Sequence, residues 1–480
     1  MTVMTGAGGF LFLEDHKVAS ILANREDEVI GAVEKAYRAH AGGETEVPHS
    51  TFLRIPGLPD SRVISLLGYL GGTVDLAGMK LLSSFPGNAK LGKPRASGFL
   101  TLLSAETGEA KAILGASSIS VQRTAASGAL AAKLLVQEEI ATVALVGAGK
   151  LNFEILRFLR KVLPGIHTAI VFDHAPILVA DFVHNCRHTF HELDVTPGDA
   201  KDIESALRGL GLISFATTAR QPHIGYRAFV AGSTILNISL RDLFADAILR
   251  CENVVDDADH VCRARTSVHL AEIASGSRAF IRCSLGDILR GNATPRADHS
   301  KAAVFSPFGL SVLDIAVGKL VYDIAQTSVS CFLSYSHGDE EFASLLYRRL
   351  REAGIGAWCA TEDMSGGDRL IEQIDRAIRT HDKVLLILSA CSMKSSWVAT
   401  EIRRARYVEA QHGRRKLFPI RLVDMPIVRD WTCFDSDAGT DLAAEVREYF
   451  IPDFSNWMDH GWFESAFERL LRDLRGSDGP

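Results

Sequence analysis

The sequence lacks any pair of cysteines two residues apart; its eight cysteines are scattered through 480 residues. That spacing excludes the usual thiolate pairs of structural zinc sites and redox motifs, and none of the eight reads as a metal ligand. Long apolar runs are also missing. The longest, such as "VLLIL" at 384–388, have the length of a strand and fall far short of a membrane span. Positive charge is not in excess: the net charge is −6, which argues against nucleic acid or an anionic membrane as partner. The opening "MTVMTGAGGFLFLED" has no basic stretch and meets acid within fifteen residues, so it does not read as a signal peptide. Reduced thiols and no leader point to a cytoplasmic protein. There is no internal repeat, low-complexity segment or Pro/Ser/Gly linker.

What is present is an ordinary globular composition, 47% hydrophobic and 23% charged, in a chain too long for one core. Its middle alternates strands and helices. "ATVALVGAG" (141–149) reads as a buried strand with a glycine turn and "KLNFEILRFLRKVL" as an amphipathic helix. "HTAIVFD" (167–173), "GLISFATT" (211–218) and "STILNIS" (233–239) are further strands. Such alternation implies a parallel sheet with ligands at the carboxyl ends of its strands. Near residue 328 the pattern restarts, with strands at "SVSCFLSYS", "IGAWCA", "KVLLILS" and "KLFPIRL" and helices between them. The helix expected over 309–325 runs into the second unit through only about four residues, too few for free swinging.

"VALVGAGKLNFEIL" puts Gly147 and Gly149 where backbone must approach a pyrophosphate. Asn152 stands where a third glycine would complete the fingerprint. Asp173, ending the next strand, suits ribose hydroxyls, and no arginine follows it, which favours NAD over NADP. A plain βα turn with a surface aspartate is the bland alternative. Arg54, Lys80 and Arg123 each sit in an apolar stretch with few local partners. An unpaired buried cation is costly, so each forms a structural ion pair or meets a bound carboxylate.

These motifs, with "FATTA" (215–219), "ILNISLRDL" (235–243) and "VFSPFGLSVLDIA" (304–316), resemble the ornithine cyclodeaminase/μ-crystallin family over about 1–326. "HSTFLR", "SFPGN" and "SLRDL" are similar to its 2,3-diaminopropionate branch, while "LRD" replaces the "GGD" of the ornithine enzymes. The resemblance implies a Rossmann-type domain over about 130–300. An α+β substrate and dimerisation domain would be built from 1–129 and 301–326. It further implies Arg54, Lys80 and Arg123 on a substrate carboxylate, with Lys80 also among the catalytic residues. Asp242 would be the acid/base, and Gly147, Gly149, Leu151, Asn152, Asp173 and Thr217 would hold NAD. The branch's reaction is NAD-dependent oxidation of a secondary amine joining glutamate to an aminopropionate, then hydrolysis.

"CFLSYSHGDEEFASLLYRRLREAGIGAW", "ATEDMSGGDRLIEQIDRAI" and "KVLLILSACSMKSSWVATEIRRA" resemble a Toll/interleukin-1 receptor (TIR) domain, flavodoxin-like with a parallel sheet, over 328–480. Enzymatic TIR domains cleave NAD at the nicotinamide–ribose bond, and a carboxylate beside the oxocarbenium-like centre suits that step. The resemblance places Glu401 as the catalytic glutamate, with Phe332, Ser334, Tyr335 and Trp397 around the substrate. Read alone, Trp397 and Glu401 are a buried tryptophan and a surface glutamate paired with Arg403 and Arg404.

Three functions follow. One is an NAD hydrolase of bacterial-defence type, with the front domain as ligand sensor and oligomeric scaffold and with TIR–TIR self-association. A second is a dehydrogenase of diaminopropionate synthesis carrying TIR as an interaction module. The third is a scaffold in which neither half turns over. The first is favoured, because a biosynthetic enzyme gains nothing from a domain that consumes its cofactor.

Overall fold

The computed structural model describes residues 10–476 apart from 328, 360–376, 379–380, 413–414 and 436–438. The chain divides into two compact units, one ending at Asp323 and the other beginning at Ile324.

The first unit holds two sheets. Strands β1 (Leu11–Leu13), β2 (Thr45–Glu46), β3 (Thr51–Ile55), β4 (Leu58–Leu70), β5 (Leu76–Ser84), β6 (Ala96–Ser104) and β7 (Ala110–Gly115) form the largely antiparallel sheet. Its order is β1-β7-β6-β5-β4-β2, with β3 paired to β4. Gly68 on β4 and Gly78 on β5 stand opposite each other, and a Cβ on either would collide: at Gly68 with the Ser311 side chain (2.2 Å), at Gly78 with the Thr101 carbonyl (2.6 Å) and tightly with Ile315 (3.1 Å). These glycines let the helix Ser311–Thr327 lie close on the sheet, which sets the position of Asp314.

The second sheet contains β8 (Thr142–Val146), β9 (Thr168–Phe172), β10 (Asp194–Pro197), β11 (Leu212–Phe215), β12 (Thr234–Asn237), β13 (Glu252–Val255), β14 (Ile281–Ser284) and β15 (Ala303–Ser306). Every pairing is parallel, in the order β10-β9-β8-β11-β12-β15-β13-β14. Both faces are covered, so the strands are short apolar runs such as the buried Val143–Val146. The sheet grows outward from β8 in one direction through β9 and in the other through β11. The crevice between β8 and β11 is therefore the topological switch point, where such sheets bind ligands.

In the second unit, β16 (Ser330–Ser334), β17 (Gly356–Cys359), β18 (Lys383–Leu388) and β19 (Leu417–Arg421) form a parallel sheet in the order β17-β16-β18-β19. Its switch point lies between β16 and β18. Alternate residues of β16 feed different cores: Phe332 joins the cluster containing Val398 and Ile402, whereas Cys331 and Leu333 join that containing Phe342 and Phe463. Among the described residues no helix is long and apolar enough to cross a membrane.

Candidate functional site

In the first unit the chemistry gathers at the carboxyl ends of β8, β11, β12 and β15. Gly147 turns the chain out of β8 at φ 101°. A Cβ there would lie 2.4 Å from the carbonyl oxygen of Ala216, so only glycine fits. Gly149 caps the helix Lys150–Val162 and faces open space. It opens the first turn of a helix, whose amides have no partner within the helix itself, the feature that receives phosphate. Asp173 accepts hydrogen bonds from the amides of Ala148 (2.9 Å) and Ala175 (3.0 Å), which ties the turn to the end of β9. Leu151 is half-buried at the start of the helix.

Asn152 has a different place from the one its motif position suggests. It is fully buried; its amide nitrogen donates to the carbonyls of Val146 (2.9 Å) and Gly147 (2.7 Å), and its oxygen accepts from Ser214 (2.8 Å). Its side-chain polar atoms are engaged within the protein, where they brace the glycine turn.

Asp242 is wholly buried after β12. Its two oxygens accept hydrogen bonds from the hydroxyls of Thr217 and Ser239, and His223 Nε2 lies 3.9 Å away. Thr217 therefore holds the carboxylate, and its oxygen also accepts from the amide of Ala219 (3.0 Å).

Lys80 and Arg123 come together, and the structure supplies the partner absent from their local sequence. Lys80 Nζ donates to Asp314 Oδ2 (2.8 Å) and Ser120 Oγ (3.3 Å), while Arg123 Nε donates to Asp314 Oδ1 (3.2 Å). Lys80 is 2% exposed and Asp314 0%. Burial lowers the Lys80 pKa to about 8, with Asp314 opposing and Arg123 reinforcing the shift. Two cations on one carboxylate leave one positive charge in excess, enough to receive a ligand carboxylate. Arg54 is not part of this cluster: it is exposed on β3, directly opposite Arg62 of β4. Asp314 escaped the sequence reading, although an acid among the apolar Val312, Leu313, Ile315, Ala316 and Val317 was a usable signal.

The second unit has its own buried carboxyl. Glu401, on the helix Ser396–His412, is 6% exposed and accepts a hydrogen bond from Ser334 at the carboxyl end of β16. Burial pushes its pKa up to about 7, against the lowering influence of Ser334 and Arg404. Glu401 is therefore not the surface residue of the alternative reading; Arg404 acts on its charge, and Arg403 donates to Asp435 (2.7 Å). Phe332 is 2% exposed and packs on Trp358 (5.4 Å between ring centres), so it belongs to the core beneath the site. Tyr335 packs with the Leu333 cluster on the other face from Ser334. Strand alternation separates these neighbours, which a linear motif does not display. The Trp397 side chain and the segment 360–376 lie outside the described residues.

Comparison with known proteins matches the ornithine cyclodeaminase/mu-crystallin family over residues 12–328, more than half the chain. The chain belongs to that family. The TIR domain family matches residues 331–449, so a TIR domain follows. N-((2S)-2-amino-2-carboxyethyl)-L-glutamate dehydrogenase of Staphylococcus aureus is 26% identical over 323 residues, covering 66% of this chain and 95% of the relative. Alanine dehydrogenase of Archaeoglobus fulgidus is 27% identical over 324 residues, with the same coverage, 66% and 95%. The solved Thermococcus litoralis Delta(1)-pyrroline-2-carboxylate reductase, in complex with NADH and L-proline, superposes with a TM-score of 0.60 at 22% identity. It covers 65% of this chain and 96% of that one, which is likeness of fold.

Proposed function

We propose that this member of the ornithine cyclodeaminase/mu-crystallin family is an NAD hydrolase of bacterial-defence type. Its TIR domain (328–480) would break NAD, and its front domain (1–326) would be a ligand sensor and oligomeric scaffold in the cytoplasm. The observation that carries this is the buried Glu401 carboxyl, beside Ser334 at a switch point, with a pKa of about 7. Hydrolysis breaks the bond between the nicotinamide nitrogen and C1′ of the ribose; the electron pair leaves with nicotinamide. The cationic sugar centre needs a carboxylate near it, and the attacking water needs a base. A carboxyl poised near neutrality serves both needs. One water is consumed, and ADP-ribose, nicotinamide and a proton are released. TIR–TIR self-association in a dimer or larger oligomer would set when this site works.

A second reading is favoured by the Asp242 site and by the names of the relatives: an NAD-dependent amino-acid dehydrogenase of diaminopropionate synthesis. NAD would supply the hydride acceptor. The turn at Gly147 and Gly149 and the amides that open the helix Lys150–Val162, with Leu151, Asp173 and Thr217, would hold it. Lys80 and Arg123 would orient a substrate carboxylate, and Asp242 would take and return the amine proton.

The deciding experiment incubates the purified chain with NAD and separates the products by chromatography. Nicotinamide that disappears in Glu401→Ala and persists in Asp242→Asn supports the first reading. Nicotinamide release surviving Glu401→Ala would sink it. NADH formed on adding an amino acid, and lost in Asp242→Asn, supports the second.

A further inference from the structure

The outer strand of the second unit borders a cleft that neither catalytic reading uses. The sheet runs β17-β16-β18-β19, so β19 is an edge, and β18 separates it from Ser334 on β16. The end of that edge is covered. The Arg421 amide donates to the Pro452 carbonyl (3.0 Å), and the Arg421 carbonyl accepts from the Phe454 amide (2.8 Å). Beside the first part of the edge lies a cleft of about 410 Å³, between Leu417–Pro419, Tyr449, Phe450 and the helix His460–Gly476. Small-molecule sites run to roughly 300–1,000 Å³, so the space suits a ligand of that size.

The edge presents acceptors without donors. Alternation along the strand puts Leu417 and Pro419 on the same edge as Arg421, so their carbonyl oxygens look outward over the cleft. Pro419 has no N–H, and the Leu417 amide already donates to Glu409 (2.9 Å). An added peptide strand needs donors and acceptors in alternation, and this edge cannot supply them.

The other walls are cationic. Arg415, Arg469 and Arg472 line the cleft against one acid, Asp473. All three arginines are exposed, and none has an ion-pair partner among the described residues. Rings hold two of them in place. The Arg469 guanidinium lies 3.9 Å from the centre of the Phe450 ring, and that of Arg415 lies 5.3 Å from the Tyr449 ring. Tyr449 is itself fixed, donating to Glu409 (3.0 Å) and accepting from Arg406 (2.8 Å). A guanidinium resting on a ring is pre-oriented and keeps its N–H donors for an anion. Arg472 follows Arg469 by three positions, on the same face of the helix. Phe450 is still 57% exposed, which leaves aromatic surface beside the charges.

We propose that this cleft binds a nucleoside polyphosphate whose base carries an exocyclic amine. The arginines receive the phosphates, the base stacks on the Arg469–Phe450 pair, and its amine donates to the carbonyl of Leu417 or Pro419. A phosphate chain alone leaves the aromatic surface and both acceptors unused. A base alone leaves the positive charge unmet. The site is separate from Glu401, so its ligand is bound and not cleaved there.

Calorimetric titration of the full chain with ATP tests this, with saturating NADH present to fill the turn at Gly147 and Gly149. ATP is expected to bind at least about tenfold more tightly than adenosine or tripolyphosphate. ITP, which has an oxygen in place of the amine, should bind more weakly than ATP. Arg472→Glu and, independently, Arg415→Glu should weaken ATP and tripolyphosphate alike, by about tenfold or more. Phe450→Ala should weaken ATP and leave tripolyphosphate unchanged. All three side chains are exposed, so the melting temperature should stay at the natural value. Tripolyphosphate or ITP binding as tightly as ATP overturns the proposal, because the base would then contribute nothing specific. ATP binding that NADH abolishes, or that all three variants leave intact, places the nucleotide elsewhere and overturns it too. A single-stranded oligoadenylate that binds more tightly than ATP would make the cleft a nucleic-acid track, and a chain that binds no ATP has no such site; either result rejects the free nucleotide as occupant.

Discussion

Ser334 donates a hydrogen bond to Glu401, and this contact joins the carboxyl end of β16 to the helix that follows β18 across the sheet's switch point. The bond favours the ionised carboxylate, whereas burial favours the protonated one, and burial wins. The pair therefore holds a carboxyl near its midpoint at neutral pH, at a cost to the fold.

That cost is measurable. The folded pKa of about 7 lies above the ordinary 4.5, so the folded chain holds the Glu401 proton more tightly than the unfolded chain does. Stability from this group is fully present below about pH 4.5 and is lost as pH rises through 7. The loss levels off at ~3 kcal/mol. Glu401→Gln removes the titration. The stability of Glu401→Gln minus that of the natural chain should be flat below pH 4.5 and rise by a few kcal/mol by pH 8. Urea unfolding at several pH values, read on the transition that the substitution moves, checks this. Nicotinamide release should fall by ~10²–10³ in the same variant.

Ser334→Ala should move the Glu401 pKa further up, because the hydroxyl is an influence that lowers it. If the carboxylate form does the chemistry, the rising limb of the pH–rate profile shifts to higher pH by about one unit. A rate that falls equally at every pH would mean that Ser334 touches substrate and does not tune Glu401.

The α/β rhythm was legible because buried parallel strands such as 143–146 are short apolar runs closed by glycine. Strands β10, β13, β14 and β15 were not singled out: β11 and β12 are equally short but closed by motif residues, whereas β10 and β13 begin on an acid and β14 carries an arginine. Glu401 stood out through its neighbours in the motif order. Asp314 did not: its apolar neighbours marked it as unusual, but its partner Lys80 lies 234 positions away, and local sequence does not name a partner at that distance. Asn152 has a structural task that its sequence did not display. Its place in a nucleotide fingerprint suggested a ligand, while its amide serves the turn that the fingerprint builds.

Asp314→Asn leaves Lys80 and Arg123 buried without their counter-charge. Breaking a buried pair from one side costs about 3–5 kcal/mol, so the front unit should unfold at a clearly lower temperature. Scanning calorimetry should show the loss in one transition. An unchanged melting profile would mean that another anion already neutralises the two cations or that Lys80 sheds its proton.

The two glycines of the turn predict opposite outcomes for one added methyl group. Gly147→Ala forces φ 101° on a residue with a Cβ, and that Cβ meets the Ala216 carbonyl at 2.4 Å. The strain, ~1–3 kcal/mol, falls on the fold itself. Gly149→Ala meets nothing within 4 Å, so stability should hardly change. If a pyrophosphate lies over this turn, the new methyl occupies its space and NADH affinity should still fall by roughly tenfold or more. Thermal melting and NADH fluorescence titration on both variants separate the effects. Nicotinamide release by Gly149→Ala should be unaltered at saturating NAD, because Glu401 belongs to the other unit. Loss of NADH binding with nicotinamide release intact would establish two NAD sites with separate tasks, whereas retained NADH binding in Gly149→Ala would remove the turn from the cofactor site.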